Sequence, residues 1–334
     1  MRKLRIAVIG CGFFGSMHAQ IYAALPNVEL VAISDILEER SREIATRLNT
    51  KGYIDYNKIF EEDIDIVDIC VPDNAHSDVV LKSIQAGKNT IIEKPLASTI
   101  EHCNLIYNAS KDFDKKLMVA HICRFDLRYL KANETISKGE LGDIIYVTSR
   151  RNSPAIGARR YAKNSELIIH SGVHDIDLIR WLVGSEFKTV YAKGAKKKMI
   201  KEGLDVYDAI IAIFTFENGV IYSLENCWSL PEKFPSYIDA KIEIVGTKGS
   251  LYIDFFSHGL KVYTDKTAYH PDLYYWPDLA GEIYGALRDE LMHFIDCVLY
   301  NKQPRVSIKD GYEAAVTAVR VLESIKKDQV IKIR

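Results

Sequence analysis

The sequence predicts an α/β protein that begins with a doubly wound parallel sheet and continues into an α+β domain with a large, mainly antiparallel sheet. Apolar runs alternate with helical patterns over the first third of the chain, and a glycine-rich turn follows the first run. Hairpin signals dominate the later part. The length of 334 residues suits two domains, which we place at residues 1–122 and 123–334.

The first apolar run, LRIAVIG at residues 4–10, suits a strand that is buried on both faces. Gly10, Gly12 and Gly15 then follow in the spacing G-x-G-x-x-G. After a helical pattern, a second strand ends at Asp35, 20 residues beyond Gly15. This order of strand, glycine turn, helix, strand and acid is the context in which the motif binds a dinucleotide. It predicts a Rossmann domain.

Each part of the motif has a physical role. Gly10 permits the tight turn, Gly12 lets a pyrophosphate approach the backbone, and Gly15 lets helix and strand pack closely. The helix N-terminus offers free N–H groups to the phosphates. Asp35 can accept hydrogen bonds from the ribose hydroxyls and would repel a 2′-phosphate, so NAD is the predicted cofactor. Arg40 could still reach a 2′-phosphate, which leaves NADP open.

Three further strands are predicted within DIDIVDICVP, KNTIIEKP and KKLMVAH. Ligands of such sheets bind beyond the carboxyl ends of the strands. Lys94, in the segment Glu93-Lys94-Pro95, would stand there beside the nicotinamide, so we favour a functional lysine over a surface one. The predicted cofactor contacts are Gly10, Cys11, Gly12, Phe13, Phe14, Gly15, Asp35, Pro72, Asn74, His76, Glu93 and Lys94.

The later part of the chain changes character. The segment DIIYVTSRRN predicts a strand, and HDIDLIRWLVG predicts a helix that ends at Gly184. Asn218-Gly219 is a hairpin signal, and AKIEIVG-TKG-SLYIDF is a second hairpin candidate. Helical patterns follow at 281–300 and 309–326.

Composition and charge limit the class of partner. The formal net charge is −1, so no overall field draws the chain to nucleic acid or anionic lipid. No apolar run approaches the ~18 residues of a membrane helix. Six cysteines are scattered singly, which predicts reduced thiols. We therefore expect a cytoplasmic protein without nucleic-acid or membrane partners.

With these residues in place, the sequence resembles the glucose–fructose oxidoreductase/inositol dehydrogenase/MocA (Gfo/Idh/MocA) family over nearly its whole length. The resemblance rests on successive segments, which are IGCGFFGSMHAQIYAALPNVELVAISD, VPDNAHSDVVLKSIQAGKNTIIEKPLA, RFDLRY, GVHDIDLIRWLVG, IEIVGTKGSL and LRDELMHFIDCVLYNKQPRVSIKDGYEA. It implies NAD(P)-dependent redox chemistry on sugars, cyclitols and related polyols. It also implies homodimers or homotetramers built on the antiparallel sheet. The family's catalytic lysine maps to Lys94 and its catalytic histidine to His174, but His170 stands where many members carry an aspartate.

The two histidines allow three interpretations. If one α-helix covers 170–183, His170, His174 and Asp177 share a face. A metal site lacks the H-E-x-x-H pattern, a cysteine partner and a third ligand, so we expect no metal. A structural pair is the second interpretation. We favour acid–base chemistry, because oxidation of a secondary alcohol by NAD needs a base, and imidazole suits that role.

In this scheme, Lys94 holds the hydroxyl oxygen and stabilises the charge that develops there, while His174 takes the proton. His170 is the third catalytic candidate, and Asp177 either orients His174 or forms a structural ion pair. Arg150 and the adjacent Arg151 would also fit a phosphate or a nucleotide-sugar. The predicted substrate contacts are Arg124, Asn152, Tyr161, His170 and His174.

The leading hypothesis is an NAD-dependent dehydrogenase that acts on a secondary alcohol of a sugar, cyclitol or nucleotide-sugar. One alternative is an NADPH-dependent keto-sugar reductase that uses the same residues in reverse. The other is a nucleotide-sensing regulator without turnover, but Lys94 and His174 argue against it because a sensor needs neither. His18, on the first helix, is expected to be a packed histidine rather than a ligand.

Overall fold

The computed structural model describes residues 3–256 and 259–334. The first sheet has six strands, which are β1 (Leu4–Ile9), β2 (Val28–Ser34), β3 (Lys51–Tyr53), β4 (Ile66–Ile69), β5 (Asn89–Glu93) and β6 (Leu117–Ala120). All neighbours are parallel, in the order β3-β2-β1-β4-β5-β6. The strand order reverses between β1 and β4, which creates a crevice at the carboxyl ends of these strands. The predicted doubly wound sheet is confirmed.

Four α-helices connect these strands, and they are α1 (Phe13–Ala24), α2 (Glu38–Leu48), α3 (His76–Gln85) and α4 (Ile100–Ser110). A 3₁₀ helix, Tyr56–Glu61, lies in the one remaining connection, between β3 and β4. Strands β1 and β4 are buried along almost their whole length, which explains their continuous apolar sequences.

The second sheet has seven strands. They are β7 (Ile144–Pro154), β8 (Phe187–Ala195), β9 (Ala209–Phe216), β10 (Ile221–Leu230), β11 (Asp239–Gly246), β12 (Ser250–Asp254) and β17 (Ile331–Lys332). Their order is β12-β11-β7-β10-β9-β8-β17, and only β7 and β10 pair in parallel. The mainly antiparallel sheet is therefore confirmed. Both predicted hairpins are present, as β9–β10 and β11–β12.

One face of this second sheet is covered and the other is open. Phe214, Tyr222 and Leu224 are fully buried, whereas Ile213, which precedes Phe214 on β9 and points to the other face, is 51% exposed. Cross-strand register places the open positions side by side, so that Tyr191 pairs with Ile213. The open face is thus lined by large apolar side chains as well as polar ones.

The remaining elements are α5 (Leu127–Ser137), α6 (Ala155–Tyr161), α7 (Val173–Val183), α8 (Ala286–Leu299), α9 (Ile308–Lys327) and four two-residue strands, β13 (Val262–Tyr263), β14 (Ala268–Tyr269), β15 (Asp278–Leu279) and β16 (Glu282–Ile283). The helical pattern predicted from residue 281 is wrong at its start. Ala280 and Gly281 both have positive φ and form the turn of the hairpin β15–β16, and α8 begins only after it.

The chain forms two compact units. One contains residues up to Phe125 together with Tyr274–Tyr312, and the other contains Asp126–Leu273 with Glu313–Arg334. The functional boundary between residues 122 and 123 stays a prediction. Among the described residues, none of the helices has the length and apolar character needed to span a membrane.

Candidate functional site

The glycine turn after β1 is closely packed everywhere except at Gly12. Gly10 has a φ of 92°, and a Cβ there would lie 2.6 Å from the carbonyl oxygen of Cys70. A Cβ on Gly15 would overlap the carbonyl oxygen of Gly10. By contrast, nothing lies within 4 Å of a Cβ position on Gly12, which directly precedes α1. The backbone at this helix N-terminus is therefore open to a pyrophosphate.

Asp35, just beyond β2, is fixed by the backbone of the same turn. Its Oδ2 accepts the N–H of Cys11 at 2.9 Å and Nη1 of Arg40 at 3.2 Å, and its Oδ1 accepts the N–H of Leu37 at 2.9 Å. A carboxylate has about four lone-pair sites, so one acceptor position remains for a ribose hydroxyl. The turn and Asp35 together fit the phosphate and adenosine parts of NAD.

The other residues of the turn contribute packing. Burial, together with the charge of Asp35, raises the pKa of the Cys11 thiol to about 12, so it stays protonated and is not a nucleophile. Phe13 and Phe14 pack edge-to-face on Trp276, with ring centroids 6.2 and 5.4 Å from it. Trp276 was not among the predicted residues, because no local pattern links it to a turn so far away in the chain.

The segment after β4 carries three predicted cofactor contacts. Pro72 and Asn74 are exposed, but His76 is buried. Its ring lies between two carbonyl oxygens, that of Pro95 at 2.8 Å from Nδ1 and that of Val71 at 3.0 Å from Nε2. Burial lowers the pKa of His76, and a neutral ring has one N–H for these two carbonyls. His76 therefore packs between the end of β4 and the segment that holds Lys94, and it donates a hydrogen bond to one of the two carbonyls.

Glu93 and Lys94 stand at the end of β5, and both are only 9% exposed. Oε2 of Glu93 accepts the N–H of Lys94 at 3.0 Å, and its Oε1 lies 3.5 Å from Nε2 of His18. Nδ1 of His18 in turn contacts Oδ2 of Asp68 at 2.8 Å. His18 is packed, as expected, but its ionic partners were missed. The sequence feature that indicates such partners is Asp68 itself, which lies within the apolar strand β4, because a buried charge requires a partner.

Arg124 follows β6 in the turn Ile122–Phe125 and is 2% exposed. Its Nη2 lies 3.4 Å from Oδ1 of Asp310, and its carbonyl oxygen accepts Nη1 of Arg305 at 3.2 Å. The guanidinium is therefore held in a buried ion pair. Its contact with substrate stays a prediction.

The predicted helix over 170–183 is present, but its first turn is not α-helical. Residues Ile168–Gly172 form a π-helical turn, in which the N–H of Val173 donates to the carbonyl of Ile168, and α7 begins only at Val173. One inserted residue rotates the side chains on either side of it by about 100° relative to each other, because an α-helix has 3.6 residues per turn. The spacing of His170 and His174 alone therefore does not give the relative orientation of their side chains.

Side-chain packing explains this π turn. A Cβ on Gly172 would overlap Cδ1 of Ile168 and would lie 3.0 Å from Oδ1 of Asn226. The Nδ2 of Asn226 donates to the Ser171 hydroxyl at 3.2 Å and to the carbonyl of Arg151 at 2.7 Å. The turn is thus fastened to strands β10 and β7, and it is held by residues far away in the sequence.

The structure brings two of the predicted substrate contacts of the second unit, Tyr161 and His170, into direct contact. The ring of His170 stacks on Tyr161, with centroids 4.0 Å apart and an interplanar angle of 23°. Trp228 lies further off, at 6.5 Å from the His170 ring. His174 stands in the first turn of α7 and is partly exposed, whereas Asp177 is fully buried. The stacking fixes the plane of His170.

Asn152 is not brought alongside α7. Its neighbour Arg151 is buried and pairs with Asp175 of that helix, so Asn152 lies on the opposite side of the strand, as Arg150 does. Nδ2 of Asn152 donates to Glu225 at 2.7 Å, and its Oδ1 has no hydrogen-bonding partner within the described part of the chain. Its contact with substrate stays a prediction.

Comparison with known proteins shows which family shares this sequence and fold. The model of an oxidoreductase family with an NAD-binding Rossmann fold, Gfo/Idh/MocA, matches residues 4–121, and the model of the Gfo/Idh/MocA C-terminal domain matches residues 129–252. Myo-inositol 2-dehydrogenase of Thermotoga maritima is 28% identical and covers 99% of this chain and 98% of its own. Scyllo-inositol 2-dehydrogenase (NAD(+)) of Bacillus subtilis is 28% identical, over 92% of this chain and 90% of its own.

Two further comparisons agree. An uncharacterized oxidoreductase of Bacillus subtilis is 30% identical over 76% of this chain and 74% of its own. The crystal structure of scyllo-inositol dehydrogenase from Lactobacillus casei, with bound NAD(H) and scyllo-inositol, has a TM-score of 0.87, an identity of 23% and a coverage of 99% of both chains. The fold is therefore shared over the full length, and the chain belongs to the Gfo/Idh/MocA family of NAD-binding oxidoreductases.

Proposed function

We propose that this protein is an NAD-dependent dehydrogenase that oxidises a ring hydroxyl of a cyclitol, with inositols as the first candidates. The observation that carries the proposal is the end-to-end similarity to the myo-inositol 2-dehydrogenase of Thermotoga maritima, at 28% identity over 99% of this chain. The relative named scyllo-inositol 2-dehydrogenase supports the same substrate class.

The two adjacent arginines favour a neutral polyol over a nucleotide-sugar. Arg151 forms a buried ion pair with Asp175, and Nη2 of Arg150 lies 3.0 Å from Oδ1 of Asp239. A diphosphate would have to compete with these carboxylates for the guanidinium groups. A cyclitol needs only hydrogen-bonding partners.

We assign the proton chemistry to two residues. When bound, NAD supplies the hydride acceptor. Lys94 donates a hydrogen bond to the reacting oxygen and stabilises its developing charge, and His174 takes the hydroxyl proton. His170, whose ring plane is fixed by Tyr161, either tunes this site or has itself taken over the proton. Arg124 and Asn152 are proposed to contact other hydroxyls.

We further propose a cytoplasmic homodimer or homotetramer that is formed through the open face of the second sheet. Tyr191, Ile213 and Ile221 are 36%, 51% and 52% exposed on that face. A contiguous apolar surface of this kind is typical of a protein–protein interface. The six cysteines are all free thiols, which suits a reducing compartment.

A substrate panel tests the function. It contains myo-, scyllo- and D-chiro-inositol, glucose and UDP-glucose, each with NAD and with NADP, and reduction is followed at the nicotinamide absorbance band. We expect turnover of at least one inositol with NAD. Turnover of UDP-glucose alone, or of no compound in either cofactor, would overturn the proposal.

A further inference from the structure

A buried group of ionisable side chains connects the cofactor-binding helix to Lys94. We call His18, Asp68 and Glu93 the His18 cluster. His18 lies one turn beyond Gly15 on α1, Asp68 lies on β4, and Glu93 ends β5. The side chains of His18 and Asp68 are fully buried, and that of Glu93 is 12% exposed.

Asp68 behaves as the fixed anion of the cluster. Its Oδ2 accepts hydrogen bonds at 2.8 Å from the Tyr22 hydroxyl and from Nδ1 of His18, and its Oδ1 accepts the thiol of Cys70 at 3.2 Å. An ionised carboxylate accepts hydrogen bonds without donating, so it satisfies all three donors at once. His18 is thereby left with Nε2 facing Glu93, at 3.5 Å from Oε1.

The charges of the cluster depend on one another. Burial alone lowers the pKa of His18, but Asp68 and Glu93 outweigh it, so the pKa is raised from its ordinary value. Burial raises the pKa of Glu93, while His18 and Lys94 oppose this rise. A buried carboxylate without a cationic partner takes up a proton. Loss of the His18 charge would therefore make Glu93 easier to protonate.

We propose that His18 is a positioning residue for Lys94. As a cation between Asp68 and Glu93, it keeps Glu93 ionised and in place, and Glu93 holds the backbone N–H of Lys94 through the 3.0 Å bond from Oε2. His76 holds the other flank of Lys94 through the carbonyl of Pro95. The significance of this arrangement for turnover rests on the proposed catalytic role of Lys94.

The first experiment measures the charge of His18 in the full-length protein without substrate. The ¹⁵N shifts of its ring nitrogens are followed by NMR against pH, in the wild type and in Glu93→Gln. We expect both nitrogens to be protonated at neutral pH, and the titration midpoint to fall in the variant because one anion is lost. A neutral ring at neutral pH, or an unchanged midpoint, would overturn the proposal. This result does not depend on any catalytic assignment.

The second experiment separates positioning from packing. His18→Gln keeps a polar side chain but loses the charge, and Tyr22→Phe removes a different 2.8 Å hydrogen bond to the same oxygen of Asp68. We expect His18→Gln to lower kcat on an inositol substrate by about 10- to 100-fold, because small misplacements of a reacting group are costly. The dissociation constant for NAD should change by less than about threefold. Tyr22→Phe should leave kcat close to the wild-type value.

The pH profile gives the sign of the effect. In His18→Gln, Glu93 loses one of its two cationic partners, so its pKa should rise further. The fall of kcat on the acid side of its pH profile should therefore move to higher pH. A folded His18→Gln variant with the wild-type kcat and the wild-type pH profile would contradict the proposal. An equal loss of kcat in Tyr22→Phe would also contradict it. If His18→Gln does not fold, the NMR measurement decides. Unchanged turnover in Lys94→Ala would instead contradict the proposed function and leave the measured charge of His18 standing.

Discussion

The glycine turn after β1 and the π turn before α7 carry the two halves of the proposed chemistry, but they are determined in different ways. The glycine turn is built from backbone groups: Gly10 has a positive φ, and a Cβ on Gly15 would overlap the carbonyl oxygen of Gly10, so these requirements are local and visible in the spacing. The π turn is held by Asn226, more than fifty residues away. Cofactor recognition through the backbone can thus be predicted from a motif, whereas the orientation of catalytic side chains depends on tertiary packing.

The largest expected effect is a loss of kcat in His174→Ala, which tests the region around the π turn. Replacement of a general base typically lowers the rate by about 10²–10⁴-fold. We expect His174→Ala to lower kcat on an inositol by this order while the dissociation constant for NAD, measured by fluorescence quenching, stays near the wild-type value.

His170→Ala is the matched control for His174→Ala. If His170 only tunes or orients the site, its loss should cost less than that of His174. A larger loss at His170 would mean that it takes the proton. Wild-type turnover in both variants would show that the pair is structural, and the proposed mechanism would be wrong.

Lys94→Ala tests the catalytic residue proposed at the end of β5, in the same unit as the glycine turn. Loss of a donor that stabilises developing charge typically costs about 10²–10³-fold in kcat. We expect a fall of that order with NAD affinity retained, because the proposed contacts at Gly12 and Asp35 would hold a distant part of the cofactor. A variant that instead loses NAD binding and keeps kcat at saturating NAD would limit Lys94 to cofactor binding.

Gly172→Ala tests whether the π turn depends on packing. The added Cβ would overlap Ile168 and crowd Asn226, and overpacking of this kind costs about 1–3 kcal/mol. We expect a lower free energy of unfolding in urea. Gly157→Ala is a control, since nothing lies within 4 Å of the Cβ position there. Equal stability of both variants would contradict the role of Gly172.

Asp35→Ser tests cofactor choice. We expect the wild type to bind NAD(H) more tightly than NADP(H), because the carboxylate bonds ribose hydroxyls and repels a 2′-phosphate. Loss of a charged hydrogen-bond partner costs about 1.5–3 kcal/mol, so the ratio of the two dissociation constants, for NADP(H) and NAD(H), should fall by roughly tenfold or more in Asp35→Ser. Titration of both cofactors by fluorescence quenching measures this. Tighter NADP(H) binding by the wild type would refute the assignment.

The smallest expected effect is that of a chelator. We expect no stoichiometric metal, either at His170 and His174 or at His18, Asp68 and Cys70, which are the only group of three potential metal ligands within residues 3–256 and 259–334. Elemental analysis after dialysis against chelator checks this. One zinc per chain with activity lost on its removal would contradict the acid–base scheme and the ion pairs of the His18 cluster.

The sequence was sufficient for features that depend on short-range backbone requirements. The parallel sheet, the glycine turn, the hairpin at Asn218-Gly219 and the helix end at Gly184 all follow from local spacing, and the structure confirms them. Asp35 also lies beside the turn as expected, through its bond to the N–H of Cys11.

Features that depend on distant residues were not predictable. The i to i+4 spacing of His170 and His174 is compatible with an α-helix, whereas the π turn packs against Asn226, a residue that no local pattern connects with this segment. The pairing of His18 with Asp68 joins two elements that are fifty residues apart. Sequence shows that a buried aspartate needs a partner, but it does not show which one.

The bond between the Cys11 N–H and Asp35 has a consequence for engineering. Because a main-chain amide makes this contact, the side chain at position 11 can be exchanged without loss of the donor. The reverse does not hold. Any replacement of Asp35 without an acceptor of similar reach leaves this buried N–H unsatisfied, at a cost of about 1–3 kcal/mol. A redesign towards NADP therefore requires a new acceptor for the amide as well as a new contact for the phosphate.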